Sequence, residues 1–338
     1  MTAIDLDRRS AIGLTAAALT GLGLPTLAQT RPPRVFMITF RGETRVERGF
    51  REHIAQSGVP IELIHRDVDR DMSRLPALIR EIRETKPDLV YTWGTPVTLG
   101  VVGPYDAIDP SRHITDIPVV FALVSAPVLA KIVPSMDKPG RNVTGAVHVV
   151  PTDVQLRVMH SYRPIAGIGV IYTAAEPNSV AIAGEVKQFC AANKHLFIER
   201  VFRTDPAGRP LVDGIEDYIE DIRRAGANWI YFLPDTFLGS QAARYIPAAT
   251  KARLPSFGAA EFAVREAGSI AGLVARYDSV GQLAAVKCLQ ILVEKRPAAS
   301  IPVEMLKRFS LIINMKVARE LEIYPPISML NYAEILTS

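Results

Sequence analysis

The stretch "YTWGTPVT", residues 91–98, has the pattern of a buried strand that ends in a loop of glycine, threonine and proline. It follows "KPDL" and precedes the apolar "LGVV", which together predict a strand, a loop and a helix. Such loops commonly hold phosphate, but this one lacks the lysine and the second glycine of a P-loop. The backbone of Gly94 and the hydroxyls of Thr95 and Thr98 would suit any anionic group, including a carboxylate. A plain strand-to-helix turn with a capping threonine is the alternative.

Similar strand and helix patterns continue on both sides of this unit. Strands are predicted to begin near 35, 61, 88 and 118, and again near 168, 196, 228 and 255. The offset between corresponding strands stays between 133 and 140 residues. Helices are predicted between them, one capped by Ser73 and others near 177–192, 213–225 and 239–252. We therefore predict an α/β fold of two similar doubly wound lobes, each built on a parallel sheet.

The loops that follow the predicted strands are the expected place for a ligand. In open parallel sheets, ligands bind beyond the carboxyl ends of the strands. If the two lobes face each other, six such loops converge on one cleft: "TFRGET", "TWGTPVT", "LVSAPV", "YTAAEPNS", "LPDTFLGS" and "FGAAEF". The candidate ligand-binding residues in these loops are Arg41, Glu43, Thr44, Gly94, Thr95, Thr98, Ser125, Glu176, Asn178, Ser179, Asp235 and Thr236. Helix capping and exposed loop positions are the structural alternatives for these residue types.

Aromatic residues also lie near these loops. Most of them are expected in the core, with one or two stacking on a ligand. They are Tyr91, Trp93, Phe121, Tyr172 and Phe237. Tyr277 is expected at a hinge between the lobes.

The composition argues against several kinds of partner and cofactor. The formal net charge is +4, and the basic residues are scattered rather than clustered, which argues against nucleic-acid binding. The six histidines never fall at i and i+4 on one predicted helix, so we predict no metal site. Cys190 and Cys288 lie in predicted helices and are expected to be buried free thiols. We predict no cofactor.

The first 28 residues have the layout of a cleaved export signal. Arg8 and Arg9 precede an uncharged run, residues 11–24, and a small-residue site that predicts cleavage after Ala28. The arginine pair suggests twin-arginine export, although the residues after it match that motif poorly. Without a cysteine near the cleavage site, lipid anchoring there is not expected. We predict a soluble periplasmic protein.

Motifs of common two-lobed enzymes do not occur in the chain. The loop "FRGETRVERGF" after the first strand lacks the glycine spacing of a dinucleotide-binding site. There is no G-x-S-x-G nucleophile elbow. We predict no catalytic residues and no enzymatic activity.

Five segments occur in an order that is typical of one family: "PVVFALVSAPV", "PGRNVTGAV", "IGVIYTAAEPNS", "GLVARYDSVGQLAAVKCLQIL" and "LIINMKVARELEI". With them the chain resembles the substrate-binding proteins of ABC importers, in the subfamily that includes tryptophan and tyrosine binders. The resemblance implies a periplasmic binding protein-like type I fold that closes on a small molecule. It implies delivery of that molecule to a membrane permease with its ATPase, and we expect a monomer.

The resemblance also implies a domain plan. We expect residues 33–145 and 275–297 in the first lobe, and residues 146–274 and 298–338 in the second. "NVTGAV" and "SIAGLVARY" would be the first two crossovers between them.

In one position the chain departs from the family pattern. An aspartate commonly precedes the proline of "VSAPV", and here that residue is Ala126. The loss of this carboxylate removes a partner for an ammonium group. We therefore expect a ligand that is neutral or bears a carboxylate, and an aromatic ligand is one form of this hypothesis. A sensor with the same fold remains the alternative function, since fold alone does not separate transport from sensing.

Overall fold

A computed structural model describes residues 31–206 and 208–337 of the chain. The predicted export signal, residues 1–28, lies outside the described residues. Strands and helices alternate along the described chain, and every strand predicted above is present. The strands are β1 (Arg34–Thr39), β2 (Glu62–Asp67), β3 (Leu89–Trp93), β4 (Val119–Val124), β5 (Val143–Val147), β6 (Gly167–Tyr172), β7 (Leu196–Val201), β8 (Trp229–Phe232), β9 (Ser256–Gly258), β10 (Ala271–Val274), β11 (Glu304–Met305), β12 (Ser310–Asn314) and β13 (Glu334–Leu336). The α-helices are α1 (Arg45–Gln56), α2 (Leu75–Thr85), α3 (Gly94–Val102), α4 (Thr152–Tyr162), α5 (Pro177–Ala192), α6 (Ile215–Arg224), α7 (Thr236–Ser240), α8 (Ala242–Lys251), α9 (Glu261–Arg265), α10 (Tyr277–Leu292), α11 (Met315–Leu321) and α12 (Ile327–Leu330).

The strands form two sheets, as the repeated pattern predicts. The first sheet has the order β11-β5-β4-β3-β1-β2, and its pairs are parallel. The second has the order β13-β12-β10-β9-β8-β6-β7, with β10 and β12 antiparallel and the other pairs parallel. In both sheets the central strands are buried along their whole length, as expected where helices cover both faces. The predicted fold class is therefore confirmed, and each sheet with its helices is called a lobe below.

Local sequence explains where several helices begin. The Thr44 side chain accepts a hydrogen bond from the N–H of Val46, and Glu47 bonds back to the N–H of Thr44, so a capping box starts α1. The prediction that Ser73 caps the next helix is wrong. Asp71 instead caps a short 3₁₀ turn, and α2 begins after it without a side-chain cap.

Three connections join the lobes, and the third differs from the expected boundary. The chain crosses between β5 and α4, between β10 and α10, and between β11 and β12. Strand β11 pairs with β5 in the first sheet, and Ile301 and Val303 pack in the core of the first lobe. The expected assignment places residues 298–338 in the second lobe. Residues 298–305 belong instead to the first lobe, because the chain crosses to the second lobe after Met305.

Helix α10 returns the chain to the first lobe and packs closely on α1. At the crossing, a Cβ on Gly281 would overlap the carbonyl of Val46, and a Cβ on Gly49 would overlap the carbonyl of Asp278. Further along α10, the fully buried Lys287 donates to the carbonyl of Pro302 at 2.6 Å and pairs with Glu304 at 2.7 Å. These contacts hold β11 against the first lobe. Cys190 and Cys288 are buried free thiols, as predicted.

Candidate functional site

The loops after the central strands of both sheets meet around one cavity between the lobes. Its volume is about 40 Å³. All six loops predicted to converge contribute to its wall, together with the ends of β5 and β10. The lining residues are Phe40, Arg41, Trp93, Thr95, Leu123, Ser125, His148, Asn178, Pro234, Asp235, Thr236, Gly239, Ser240, Ala260, Phe262 and Tyr277.

Half of the twelve candidate residues line this cavity. Three come from the first lobe and three from the second, so a molecule held there would contact both lobes. They are Arg41, Thr95, Ser125, Asn178, Asp235 and Thr236. Their role in ligand binding remains a prediction.

Two candidates of the quoted loop do not face the cavity. Gly94 begins α3 with a φ of +76°, a backbone conformation that favours glycine, and is not among the lining residues. The Thr98 hydroxyl donates to the carbonyl of Gly94 at 2.7 Å and bonds to the Thr92 hydroxyl at 2.9 Å. The expectation that Thr98 offers its hydroxyl to a ligand is therefore wrong, because the hydroxyl is used within its own helix.

The other four candidates outside the cavity also have structural partners. Glu43 is exposed and pairs with Arg51 at 2.6 Å, while Thr44 caps α1. Glu176 accepts hydrogen bonds from the backbone of Thr236 at 2.9 Å and Phe237 at 3.1 Å. Ser179 is fully buried and is not among the lining residues.

Glu176 and Asp235 form a buried acidic pair in the second lobe, in which Asp235 belongs to the cavity wall and Glu176 does not. Asp235 accepts from the N–H of Thr173 at 2.8 Å and caps α7 through the N–H of Leu238 at 2.7 Å. Burial raises the pKa of both carboxyls, and the neighbouring Asp235 charge raises that of Glu176 further. The capping role weighed for Asp235 is thus present, and the pair favours holding a proton.

Three buried polar atoms that find no hydrogen-bond partner in the described part of the chain belong to residues of the cavity wall. They are Nε1 of Trp93, Nδ1 of His148 and Oδ1 of Asn178. Because Asn178 donates through Nδ2 to the carbonyl of Pro234 at 3.0 Å, its Oδ1 is left as an acceptor. Buried polar groups are normally paired, so unpaired ones on a cavity wall indicate a place where a polar molecule binds.

The protonation state of His148 fixes what its ring can offer. Burial lowers its pKa to about 4, and a backbone hydrogen bond with Val124 opposes this shift. The ring is therefore neutral at pH 7. Nδ1 has no partner among the described residues, and in the neutral ring it donates or accepts a hydrogen bond according to the tautomer.

Arg41 brings a positive charge to the cavity and spans the two lobes. Its guanidinium lies 5.3 Å from the ring centre of Trp93 in the first lobe and 4.9 Å from that of Phe262 in the second. These contacts fit cation–π geometry. Within the described chain Arg41 has no ion pair or side-chain hydrogen bond, which leaves its N–H groups available to an anion.

The aromatic residues divide much as expected. Tyr91 and Phe121 are fully buried in the core, while Trp93 reaches the cavity. Tyr172 is buried, and Phe237 lines a neighbouring pocket instead. Tyr277 lines the cavity at the second crossover, close to its expected hinge position.

Sequence reasoning missed two of the main cavity residues, His148 and Phe262. His148 follows β5, which was interpreted only as a crossover, and Phe262 is the last residue of the quoted "FGAAEF" loop but was not singled out. Their signal was the same as for the residues that were found, since both lie just past the carboxyl end of a strand. Ala126 does not line the cavity but a neighbouring groove, with Ser125 common to both.

Other kinds of site find no support in the described residues. In that part of the chain, no group of three or more His, Cys, Asp or Glu side chains is placed to hold a metal ion. No described helix is long and apolar enough to span a membrane.

Comparisons with known proteins agree with this geometry. Residues 37–336 match the model of the family described as ABC transporter substrate binding protein. A tyrosine-binding protein of Clostridioides difficile (strain R20291) is 24% identical over 283 residues, which are 82% of this chain and 76% of that protein.

Two solved structures share the fold. A conserved domain protein from Vibrio cholerae superposes with a TM-score of 0.79 at 24% identity, covering 91% of this chain and 100% of its own. An ABC domain in complex with L-Trp from Streptococcus pneumonia has a TM-score of 0.77 at 20% identity, covering 90% and 99%. Since the family model covers most of its length, the chain belongs to the ABC transporter substrate-binding protein family.

Proposed function

We propose that this protein is the periplasmic solute-binding component of an ABC importer. It captures a small carboxylate-bearing molecule, aromatic or amino-acid-like, between its lobes and delivers it to a membrane permease. The observation that carries the proposal is the set of unpaired buried atoms on Trp93, His148 and Asn178 around one cavity. A protein that bound nothing there would lose stability by leaving these atoms without partners.

The charges and lone pairs of the cavity define the ligand. Arg41 and the indole N–H of Trp93 are donors and suit a carboxylate. Oδ1 of Asn178 is an acceptor and suits a hydroxyl, amide or amino group, and Nδ1 of the neutral His148 ring can accept from the same group in one of its two tautomers. The ligand therefore carries an anionic group and at least one hydrogen-bond donor. The relatives named for tyrosine and L-Trp binding have ligands of this general kind.

Ligand binding would favour the closed arrangement of the lobes. Trp93 and Arg41 belong to the first lobe, His148 lies in the first connection, and Asn178 and Phe262 belong to the second lobe, so one small molecule bridges both lobes. A ligand that contacts both lobes only when they are closed shifts the equilibrium towards closure. The three connections near residues 147–152, 274–277 and 305–310 would take up the rotation. No catalytic step is part of this proposal.

Export and partners follow from the family and the predicted signal. Cleavage after Ala28 would release a soluble periplasmic protein, not a lipoprotein, that acts as a monomer on a permease and ATPase complex. Membrane fractionation of the native host, followed by N-terminal sequencing of the processed chain, tests this part. A protein that is found in the cytoplasm and still carries residues 1–28 would contradict this part of the proposal.

Thermal-shift screening of the purified protein tests the ligand. The panel contains aromatic carboxylates, amino acids, dicarboxylates, purines and sugars, and stabilisation is expected with carboxylates that carry a donor group. The variant His148→Phe removes the ring nitrogens and should lose this stabilisation, while Ser111→Ala, on an exposed loop and not among the lining residues, should keep it. Stabilisation by sugars or purines alone would contradict the proposed ligand class.

A further inference from the structure

A second pocket adjoins the cavity at the mouth of the cleft. Its volume is about 320 Å³, and Arg41 and Tyr277 belong to the walls of both. Arg48 from α1 and Arg70 from the loop after β2 line it from the first lobe. Glu266, next to the end of α9, lines it from the second lobe. The pocket therefore borders the proposed ligand site and touches both lobes.

Three of its guanidinium groups have no anionic partner among the residues that the structure describes. Within residues 31–206 and 208–337, Arg41, Arg48 and Arg70 form no ion pair and no side-chain hydrogen bond. Neighbouring arginines behave differently, since Arg45 pairs with Asp278 at 2.6 Å and Arg51 pairs with Glu43 at 2.6 Å. Glu43 is therefore already paired. Glu266 is the acidic residue of the pocket that forms no ion pair in the described chain.

The backbone holds one of these arginines in place. Arg70 has a φ of +60°, in the left-handed region that non-glycine residues seldom adopt. Its N–H donates to the carbonyl of Phe40, at the rim of the cavity, at 2.7 Å. Three separate chain segments thus bring positive charge to one pocket, beside the carboxylates of Glu43 and Glu266, and an anion between the guanidinium groups would reduce the repulsion among them.

We propose that this pocket is a second anion subsite, so that the transported molecule carries two anionic groups. One is a carboxylate that binds at Arg41 and Trp93, and the other binds between Arg48 and Arg70. The second group is a carboxylate or a phosphate-like group, since either suits paired guanidiniums. This inference rests on the proposed function, because it extends the same ligand site.

Calorimetry with three compounds on one scaffold tests the subsite. The compounds are 3-hydroxybenzoate with one anionic group, 5-hydroxyisophthalate with a second carboxylate, and 3-hydroxy-5-phosphonobenzoate with a phosphonate in place of that second carboxylate. In 20 mM salt, the better dianion should bind at least about tenfold more tightly than the monoanion, and the difference should shrink in 300 mM salt. The better of the two dianions identifies the second group.

Variants separate the subsite from the main cavity. Arg48→Gln with Arg70→Gln should reduce the preference for the dianion to about twofold or less and leave the affinity for the monoanion unchanged. Both side chains are exposed, so the fold should tolerate the change. Arg80→Gln with Arg112→Gln, also exposed in the first lobe, removes the same charge elsewhere and should keep the preference.

Each failure has a distinct result. Equal binding of monoanion and dianion by the unmodified protein overturns the subsite and leaves the proposed function standing. An equal loss of preference in both double variants also overturns it, since net charge alone would then explain the effect. Binding of none of the compounds overturns the subsite together with the carboxylate ligand class.

Discussion

The backbone N–H of Tyr277 donates a hydrogen bond of 2.6 Å to Oε2 of Glu261, a carboxylate that is 1% exposed. Glu261 begins α9 in the second lobe, and Tyr277 begins α10 just after the chain has crossed to the first. The other carboxylate oxygen pairs with Arg265 at 2.7 Å and lies 3.6 Å from Arg45 of α1. One buried carboxylate therefore ties the second crossover to helices of both lobes.

We expect Glu261→Gln to lower the free energy of unfolding by about 3 kcal/mol, because removing one partner of a buried pair leaves charges uncompensated. Urea denaturation measures the change. Glu216→Gln, which breaks the solvent-exposed pair with Arg244, is the control and should cost less than about 1 kcal/mol. Equal losses in the two variants would show that Glu261 behaves as an ordinary surface charge.

The buried acid pair should make stability fall as the pH rises. The pKa of Glu176 is raised by burial and by Asp235, so the folded protein binds more protons than the unfolded chain above about pH 4.5. The contribution of Glu176 to the free energy of unfolding is fully present below that pH. It is lost as the pH rises through the pKa that Glu176 has in the folded protein. Between pH 5 and pH 8 the wild type should lose on the order of 2 kcal/mol relative to Glu176→Gln.

Urea denaturation of ligand-free protein at several pH values tests this expectation. Glu220→Gln is the control. The hydrogen bond from Arg223 lowers the pKa of Glu220 to about 2, so the Glu220 carboxylate stays ionised across this pH range. Parallel pH profiles of wild type and Glu176→Gln would show that the pair holds no extra proton.

His148 should have the opposite effect in a more acidic range. Burial lowers its pKa from 6.5 to about 4, so the unfolded chain binds the proton more readily than the folded protein. Stability is present above the unfolded pKa and is lost as the pH falls towards 4. Relative to His148→Gln, the wild type should lose about 3 kcal/mol between pH 7 and pH 4, measured by denaturation without ligand. A constant difference between the two proteins over this range would contradict a buried neutral ring.

The fold was predictable because its determinants are local. Apolar strand runs such as β3 and the amphipathic pattern of α1 follow from residues that are close in the sequence. Strand β11 was not predictable in this way. Its two residues, Glu304 and Met305, are exposed, and long-range contacts of Lys287 and Pro302 hold it in the first sheet.

The candidate site was predictable in position but less so in chemistry. Strand ends located the loops, yet sequence cannot show which side chains already have partners. Thr98 and Glu176 looked like ligand contacts and are used for helix structure instead. The unpaired atoms of His148 and Asn178 become visible only when the two lobes are placed together.

The crossing of α1 and α10 should be unusually sensitive to a single methyl group. A Cβ on Gly281 would overlap the carbonyl of Val46. This carbonyl belongs to the backbone of α1, so it cannot move aside as a flexible side chain would. Although alanine is the better helix former, we expect Gly281→Ala to destabilise the protein by about 2–3 kcal/mol through overpacking. Gly184→Ala is the matched control, because Gly184 also lies within a 16-residue helix and a Cβ there meets nothing within 4 Å. This control should gain about 0.5–1 kcal/mol from helix propensity alone. Urea denaturation of both variants decides the question. A gain in stability for Gly281→Ala would mean that the two helices can move apart, and that the first lobe does not need their close approach.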